Sequence, residues 1–178
     1  DYYYSFTTVL SIDIMHDVAP KYEVFLVGSA GTIYMSQDNM YVTIQQRPML
    51  MFAVRSTTAA SVMTAEKTEI HRIRVTNGEI KYEASGIVPG HILNQFSMDE
   101  NSGYFRIATT LSGGSNQTNN VYVLDGDLNI VGKLEDLASG ERIYSARFIG
   151  NKGYMVTFRQ IDPLFIIDLS DPTNPVVL

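Results

Sequence analysis

The stretch IYSARFIGNKGYMVTFRQIDPLFIIDLSDPTNPVVL, residues 143–178, decides the fold. It contains short apolar runs separated by clusters of Gly, Asn, Asp and Pro, and these runs are Ile143–Ile149, Tyr154–Phe158, Leu164–Leu169 and Val176–Leu178. Runs of this length that are rich in Ile, Val, Phe and Tyr, with turn-forming residues between them, predict β-strands joined in hairpins. The stretch therefore predicts a four-stranded antiparallel meander.

The same unit recurs upstream at a regular interval. Asn101, Gly103 and Tyr104 recur together 50 positions later. Tyr41 lies at the matching place in an earlier hairpin, and the irregular segment Met49–Lys67 accounts for the longer interval of 63 positions to Tyr104. The predicted strands number fourteen, as two and then three sets of four. A period near fifty residues with four strands in each period is typical of a propeller blade.

We therefore predict an all-β fold made of four-stranded antiparallel β-propeller blades, with about three and a half blades present as an incomplete arc of a larger propeller. The predicted division is a half blade over residues 1–30 and blades over about 31–90, 91–140 and 141–178. Propellers typically have about 4–8 blades, so the ring is completed either by a longer chain or by copies that associate through open blade edges. The start halfway through a blade favours the longer chain.

Three segments carry local expectations. Asn94–Met98 is expected to be a strand that turns through Asp99–Gly103 into the next strand. The polar run Ser112–Asn120 is expected to be a loop. Met49–Lys67, which is rich in Met, Ala, Ser and Thr, predicts a long loop that carries a short strand or a helical turn. Long loops in compact domains are often binding elements.

The composition excludes several classes of protein. Hydrophobic residues make up 45% of the chain and charged residues 18%, which is typical of a folded β-rich domain and not of a disordered chain. The net charge of -6, with no basic run, argues against nucleic acid as a partner. Cysteine is absent, so the chain has neither a disulfide framework nor a thiolate metal site. The longest apolar run, Met49–Val54, is too short to span a bilayer.

The histidines do not form a recognisable metal motif. His16, His71 and His91 belong to different predicted blades and share no ligand spacing, so ordinary surface or edge positions are favoured over a zinc site. The chain also has no nucleophile elbow, no glycine-rich phosphate loop and no zinc-protease helix motif. The sequence predicts no cofactor.

A weak calcium candidate lies in one predicted turn. Asp125, Asp127 and Asn129 match the start of a calcium-binding loop, but Ile130 occupies the place of the required glycine and Asp136 that of the final glutamate. The alternative is a hairpin turn in which Gly126 adopts a positive φ and the Asp side chains bond the turn backbone. The departures from the loop pattern favour the hairpin turn.

Three arginines are the candidate ligand-binding residues. Arg106, Arg147 and Arg159 fall on or beside the inner strands of their predicted blades, where they could line the axis and bind an anion or another polar ligand. The alternative is an ion pair with Asp or Glu of the next blade, because interior arginines usually have partners. Asn116 begins an N-x-T glycosylation acceptor in the predicted polar loop.

Two further groups admit a functional and a structural interpretation. The Met49, Met51 and Phe52 cluster is either an exposed partner-binding patch or a satellite core beneath the predicted loop. Asp99 and Glu100 are adjacent carboxylates in a hairpin. Because adjacent strand residues point to opposite faces of a sheet, the two are poorly placed to act as an acid–base pair.

Several segments together indicate a family. They are GIVPGHILNQFSMDE (86–100), GYFRIATT (103–110), ERIYSARFIG (141–150), YMVTF (154–158), DPLF (162–165) and DLSDP (168–172). From about Thr68 onward the chain resembles the secreted β-propeller domain proteins of archaea and bacteria. The resemblance implies export and an extracellular or cell-surface location, and it brings no assigned activity.

The leading functional prediction is a non-catalytic extracellular interaction domain that binds protein or glycan through propeller loops. It depends on the blade repeat, the acidic charge and the lack of a catalytic motif. The alternative is part of a propeller enzyme whose active site lies in the axial channel and is completed by further blades. Propellers host both kinds of function, so the fold alone does not decide between them.

Overall fold

A computed structural model describes residues 5–28, 30–46, 66–113, 116–158 and 163–178. Within these ranges the chain forms fourteen β-strands and one short 3-10 helix, Gln95–Ser97. The strands are β1 (Thr7–Ser11), β2 (Lys21–Phe25), β3 (Thr32–Met35), β4 (Asn39–Gln46), β5 (Lys67–Thr76), β6 (Glu79–Pro89), β7 (Met98–Asn101), β8 (Tyr104–Gly113), β9 (Asn116–Leu124), β10 (Ile130–Leu137), β11 (Arg142–Ile149), β12 (Lys152–Phe158), β13 (Leu164–Asp168) and β14 (Val176–Val177).

The strands form one two-stranded sheet, β1–β2, and three four-stranded sheets, β3–β6, β7–β10 and β11–β14. In each sheet every strand pairs antiparallel with the next strand in the chain. Several pairs of consecutive strands are joined by short hairpin turns, and two of these turns, Asn77–Gly78 and Ser102–Gly103, have two residues that both adopt a positive φ. The predicted all-β fold, with strands in the order two, four, four and four, is confirmed.

Successive sheets pack face to face, and the core consists of the layers between them. Val9 of β1 packs against Val42 and Ile73 of the next sheet. The second layer joins Tyr41 to Phe105, whose rings stack at a centroid distance of 4.1 Å. The third layer joins β7–β10 to β11–β14 and contains Ala108, Val121, Val123, Ile143, Ala146, Met155, Ile167 and Leu169. Each four-stranded sheet thus contributes apolar side chains to a layer shared with its neighbour, as propeller blades do.

Two glycines permit the sheets to approach one another closely. A Cβ atom at Gly132 in β10 would lie 2.1 Å from the carbonyl oxygen of Pro172 in the following sheet. A Cβ atom at Gly86 in β6 would lie 2.4 Å from the carbonyl oxygen of Leu128. Neither distance is tolerable, because the nearest atoms belong to the backbone, so at both contacts the close approach of the sheets requires glycine.

The segment Asn94–Met98 is not a strand, and that prediction is wrong. The side chain of Asn94 accepts a hydrogen bond of 2.9 Å from the backbone N–H of Phe96 and caps the 3-10 helix Gln95–Ser97. The strand β7 begins only at Met98 and includes Asp99 and Glu100, which were expected in a turn. A local side-chain cap therefore overrides the apolar pattern of this segment.

The predicted loop over Ser112–Asn120 is also wrong. β8 and β9 pair as far as Gly113 and Asn116, so most of this polar segment is strand. Asn119 is fully buried, its amide nitrogen donates to the carbonyl oxygens of Leu137 and Glu141, each at 3.1 Å, and its oxygen accepts from Thr110 at 2.8 Å. Because the amide of Asn119 is hydrogen-bonded inside the fold, this polar residue can continue the strand.

Candidate functional site

The first strands of the three four-stranded sheets converge around the 3-10 helix Gln95–Ser97. They enclose a cleft of about 470 Å³, which we call the axial cleft. Its lining residues are Ile33, Tyr34, Met35, Gln95, Phe96, Met98, Asp99, Arg147 and Phe148. β3, β7 and β11 each lie at an edge of their sheet and therefore leave one backbone edge without a strand partner in the described chain. The cleft combines an apolar lining with open strand edges.

Arg147 is the cationic side chain that enters the axial cleft without a carboxylate partner among the described residues. Its guanidinium carbon lies 3.8 Å from the centroid of the Phe96 ring, which is a close cation–π contact. One of its nitrogens donates to the carbonyl oxygen of Ala146 at 2.7 Å. A guanidinium carries five N–H donors, so Arg147 keeps hydrogen-bonding capacity for a ligand.

Arg106 has a different environment. It lies on β8, is 3% exposed, and forms an ion pair with Asp99, the residue directly opposite it on β7. It also donates to the carbonyl oxygen of Gly150 at 2.7 Å, and its guanidinium carbon lies 5.3 Å from the centre of the Phe148 ring. The carboxylate partner belongs to the same blade, while the contact with the next blade is to a backbone oxygen. Asp99 and Arg106 thus neutralise each other beside the cleft.

Glu100 connects two neighbouring blades. Its carboxylate accepts hydrogen bonds from Ser36 at 2.6 Å, Asn39 at 3.1 Å and Tyr41 at 3.0 Å, all on the preceding sheet or its first turn. Its backbone N–H donates to the Tyr34 hydroxyl at 3.1 Å. The two adjacent carboxylates therefore have different partners. Asp99 binds an arginine of its own sheet, and Glu100 binds residues of the preceding blade.

The tyrosines at this interface remain neutral hydroxyls. Burial, supported by the nearby charges of Asp99 and Glu100, raises the pKa of Tyr34. Burial and the Glu100 carboxylate also raise the pKa of Tyr41 well above its ordinary value. A tyrosine with a raised pKa is a poor source of a phenolate, so neither hydroxyl is suited to act as a base near neutral pH.

The three histidines lie in separate places. His16 is exposed, and its Nδ1 lies 2.9 Å from an Asp13 carboxylate oxygen. His91 follows β6, and its Nδ1 lies 3.1 Å from a carboxylate oxygen of Glu66. Among the residues that the structure describes, no group of three or more His, Cys, Asp or Glu side chains is arranged to hold a metal ion.

His71 is the exception to the expected surface or edge positions. It lies on β5, an inner strand of its sheet, and is buried, with Nδ1 3.0 Å from the Tyr82 hydroxyl and Nε2 3.5 Å from a Glu69 oxygen. Burial lowers the pKa of His71, although the Glu69 charge opposes the shift. The prediction of a surface or edge position is therefore wrong for His71, because its ring is buried on an inner strand beside the Tyr82 ring.

The Asp125–Asn129 segment forms a hydrogen-bonded hairpin turn. One carboxylate oxygen of Asp125 accepts from the backbone N–H groups of Asp127 at 2.9 Å and Asn129 at 2.8 Å. These bonds, led by the one from Asn129, lower the pKa of Asp125. The positive φ of 62° belongs to Leu128 and not to Gly126, so that detail of the prediction is wrong. The Leu128 side chain is buried in the layer between blades.

Three sets of candidates cannot be placed in the site. Arg159 and the Met49, Met51 and Phe52 cluster lie outside the described residues. Asn116 is the first residue of β9 and pairs with Gly113. Its glycosylation remains a prediction.

Sequence reasoning identified Arg147 but missed its aromatic partner. Phe96 was assigned to a strand, and its position below the guanidinium depends on the Asn94-capped turn that brings the ring to the cleft. The available signal was Asn94 itself, since Asn two residues before an aromatic can bond the backbone and start a turn. Nothing in the sequence around Tyr34 and Met35 indicates that they line the cleft, because any residue of a first strand can do so.

The sequence has clear relatives. The whole of residues 1–178 matches the family described as Beta propeller domain. The chain belongs to this family. An uncharacterised protein of Methanocaldococcus jannaschii is 52% identical over 116 residues, which cover 64% of this chain and 18% of that protein. An uncharacterised protein of Archaeoglobus fulgidus is 46% identical over 112 residues, which cover 62% of this chain and 18% of that protein.

The chain of this β-propeller domain thus aligns with about a fifth of the length of each of these relatives. No solved structure matches it significantly. Among the described residues, no helix has the length and apolar character needed to cross a membrane.

Proposed function

We propose that this β-propeller domain is a non-catalytic binding module that holds a protein or glycan ligand in the axial cleft. The observation that carries the proposal is the composition of the cleft: an apolar and aromatic lining with one cationic side chain, Arg147, that has no acidic partner in the described chain. Ligand sites are typically concave, largely apolar and equipped with a few polar groups that orient the ligand.

The charged groups around the cleft support binding over catalysis. Asp99 is paired with Arg106, and Glu100 is occupied by hydrogen bonds from the preceding blade. A general acid or base must be able to exchange a proton with a substrate, which a carboxylate engaged in this way does poorly. An enzyme completed by further blades remains the alternative, and no arrangement among the described residues favours it.

The extracellular or cell-surface setting belongs to the same proposal and depends on the resemblance to secreted propeller proteins. Labelling of intact cells with an antibody against the domain would test it. Labelling only after the cells are broken open would contradict it.

The cleft can be tested by replacing two of its exposed apolar side chains. Ile33 and Met35 are each 46% exposed, so the double variant I33Q/M35Q should fold while losing apolar contact with a ligand. We expect ligands selected from a random peptide library and a glycan array to bind this variant at least about tenfold more weakly, given about 0.8 kcal/mol for each buried methylene. Mass spectrometry should recover these ligands unchanged.

The matched control is I87Q/I130Q, which changes two isoleucines of similar exposure, 50% and 42%, on the outer strands β6 and β10. This control should bind as the wild type does. The proposal would be overturned if neither library yields a ligand, if I33Q/M35Q binds the selected ligands unchanged, or if the ligands are chemically altered.

A further inference from the structure

The charge of the axial cleft differs in sign from the charge of the chain. The chain as a whole carries a formal net charge of -6. Inside the cleft, however, the lining carboxylate Asp99 is neutralised by Arg106, and Gln95 is uncharged. Arg147 therefore leaves the cleft with a local positive charge, which favours an anionic group on the ligand at short range.

The position of Arg147 suits a carboxylate. Its guanidinium rests on the Phe96 ring and donates to the Ala146 carbonyl oxygen, so two contacts hold the group in place before a ligand arrives. A planar guanidinium can donate two parallel hydrogen bonds to one carboxylate, and a group that is already ordered loses less entropy on binding. The ordered, planar guanidinium of Arg147 therefore favours a ligand that carries a carboxylate.

The remaining lining favours a peptide over a sugar chain. Sugars commonly pack their C–H groups on an open aromatic face, but Arg147 already covers a face of Phe96 at 3.8 Å. Asp99 is paired with Arg106 and the Tyr34 oxygen already accepts from the Glu100 N–H, so Gln95 and the Tyr34 O–H are the polar lining groups left besides Arg147 for sugar hydroxyls. Ile33, Met35 and Met98 instead offer aliphatic contacts.

The unpaired backbone edges of the first strands also favour a peptide ligand. β3 and β11 each pair on one side only among the described strands, so backbone N–H and C=O groups border the cleft. An extended peptide can pair with such an edge, which a sugar chain cannot do, while its side chains enter neighbouring pockets. We propose that the axial cleft binds an extended peptide segment in which an Asp or Glu carboxylate contacts Arg147 beside apolar side chains.

This inference rests on the proposed function and is tested with defined probes. The probes are N-acetylated, C-terminally amidated hexapeptide pools that carry an uncharged dye and combine Leu and Phe with Glu, Gln or Lys, together with oligogalacturonate as an acidic glycan. We expect the Glu pool to bind the wild type most tightly. R147Q should weaken binding of the Glu pool by about tenfold or more, because one charge-assisted contact is worth roughly 1.5–3 kcal/mol.

The matched control is R142Q, which removes an exposed arginine from the other end of the same strand, β11, and should change affinity less than about twofold. R147K, which keeps the charge but not the planar fork, should fall between R147Q and the wild type. F96L removes the ring below the guanidinium and should weaken binding of the Glu pool by about two- to fivefold, in line with an exposed cation–π contact.

The outcomes separate this inference from the proposed function. If I33Q/M35Q loses affinity for the probes while R147Q does not, the binding module stands and the carboxylate contact is wrong. Tighter binding of oligogalacturonate or of the Lys pool than of the Glu pool would also overturn the acidic-peptide assignment. If I33Q/M35Q binds every probe as the wild type does, the proposed function itself fails.

Discussion

His71 shows how one buried side chain makes stability depend on pH. Its ring is buried beside the Tyr82 ring of the neighbouring strand β6, and Tyr82 and Glu69 are its polar neighbours. Burial lowers its pKa, so the folded protein prefers the neutral ring more strongly than the unfolded chain does. The unfolded chain then binds more protons as the pH falls, and the stability that this residue provides decreases.

We expect the free energy of unfolding of the wild type to be highest above the unfolded histidine pKa of about 6.5 and to fall as the pH is lowered through the folded pKa. The variant H71Q should be less stable by about 1 kcal/mol at pH 7.5, through loss of packing and of the Tyr82 contact. The gap between the two proteins should narrow toward pH 5.5.

Urea unfolding of both proteins across this pH range measures the gap. His16 and His91 are present in both, so their effects cancel in the comparison. A gap that stays constant or widens as the pH falls would contradict the assignment of a lowered pKa to His71.

At the scale of the elements, glycines decide how closely the sheets pack. Gly132 of β10 faces the backbone of Pro172, so a methyl group there would force two sheets apart. Gly126, in the turn before β10, has no positive φ, and the nearest atom to an added Cβ is a terminal nitrogen of Arg72 at 3.4 Å. A substitution of glycine by alanine should therefore affect stability differently at Gly132 and at Gly126.

We expect G132A to lower the free energy of unfolding by about 1–3 kcal/mol, the range that is typical of overpacking. G126A should change it by less than about 0.5 kcal/mol, because the added methyl group meets only ordinary contacts. Denaturant unfolding monitored by tyrosine fluorescence would compare the two. If both variants lose the same free energy of unfolding, the contact between β10 and the next sheet does not limit how closely the two sheets pack.

The element scale also shows where the sequence pattern was sufficient and where it was not. Strand alternation and turn residues predicted the hairpins, because both signals are local. Asn94–Met98 and Ser112–Asn120 were assigned wrongly because a cap in the first and buried amide bonds in the second changed the local outcome. Neither contact can be read from hydrophobicity alone.

At the scale of the whole molecule, the first and last sheets each expose an apolar face. On β1–β2, Leu10, Tyr22 and Val24 are exposed, and on the last sheet Phe158 and Leu164 are exposed. Propeller sheets normally pack against a neighbour on both faces. The aligned part of the chain covers 18% of each of the two relatives. We propose that further blades cover these faces in a longer protein and that copies of the chain associate through them when it is isolated.

We expect the isolated chain to show a light-scattering mass that rises with concentration above the 19.9 kDa of one copy. The double variant F158K/L164K should bring the mass toward that of one copy without loss of stability, since both side chains are exposed. I87K/I130K makes the same change away from the end sheets and should leave association unchanged. A wild type that stays monomeric at every concentration would contradict this proposal.

The sequence by itself determined the number of strands, their hairpin succession, the blade repeat and the family, because these depend on patterns within a few tens of residues. It also indicated Arg147 as a candidate. Only the tertiary structure decided that Arg106 is neutralised by Asp99, that Glu100 binds Ser36 from 64 positions earlier in the chain, and that Arg147 rests on Phe96. Such contacts depend on how sheets stack and on the geometry of a capped turn, which alternation along a strand does not encode.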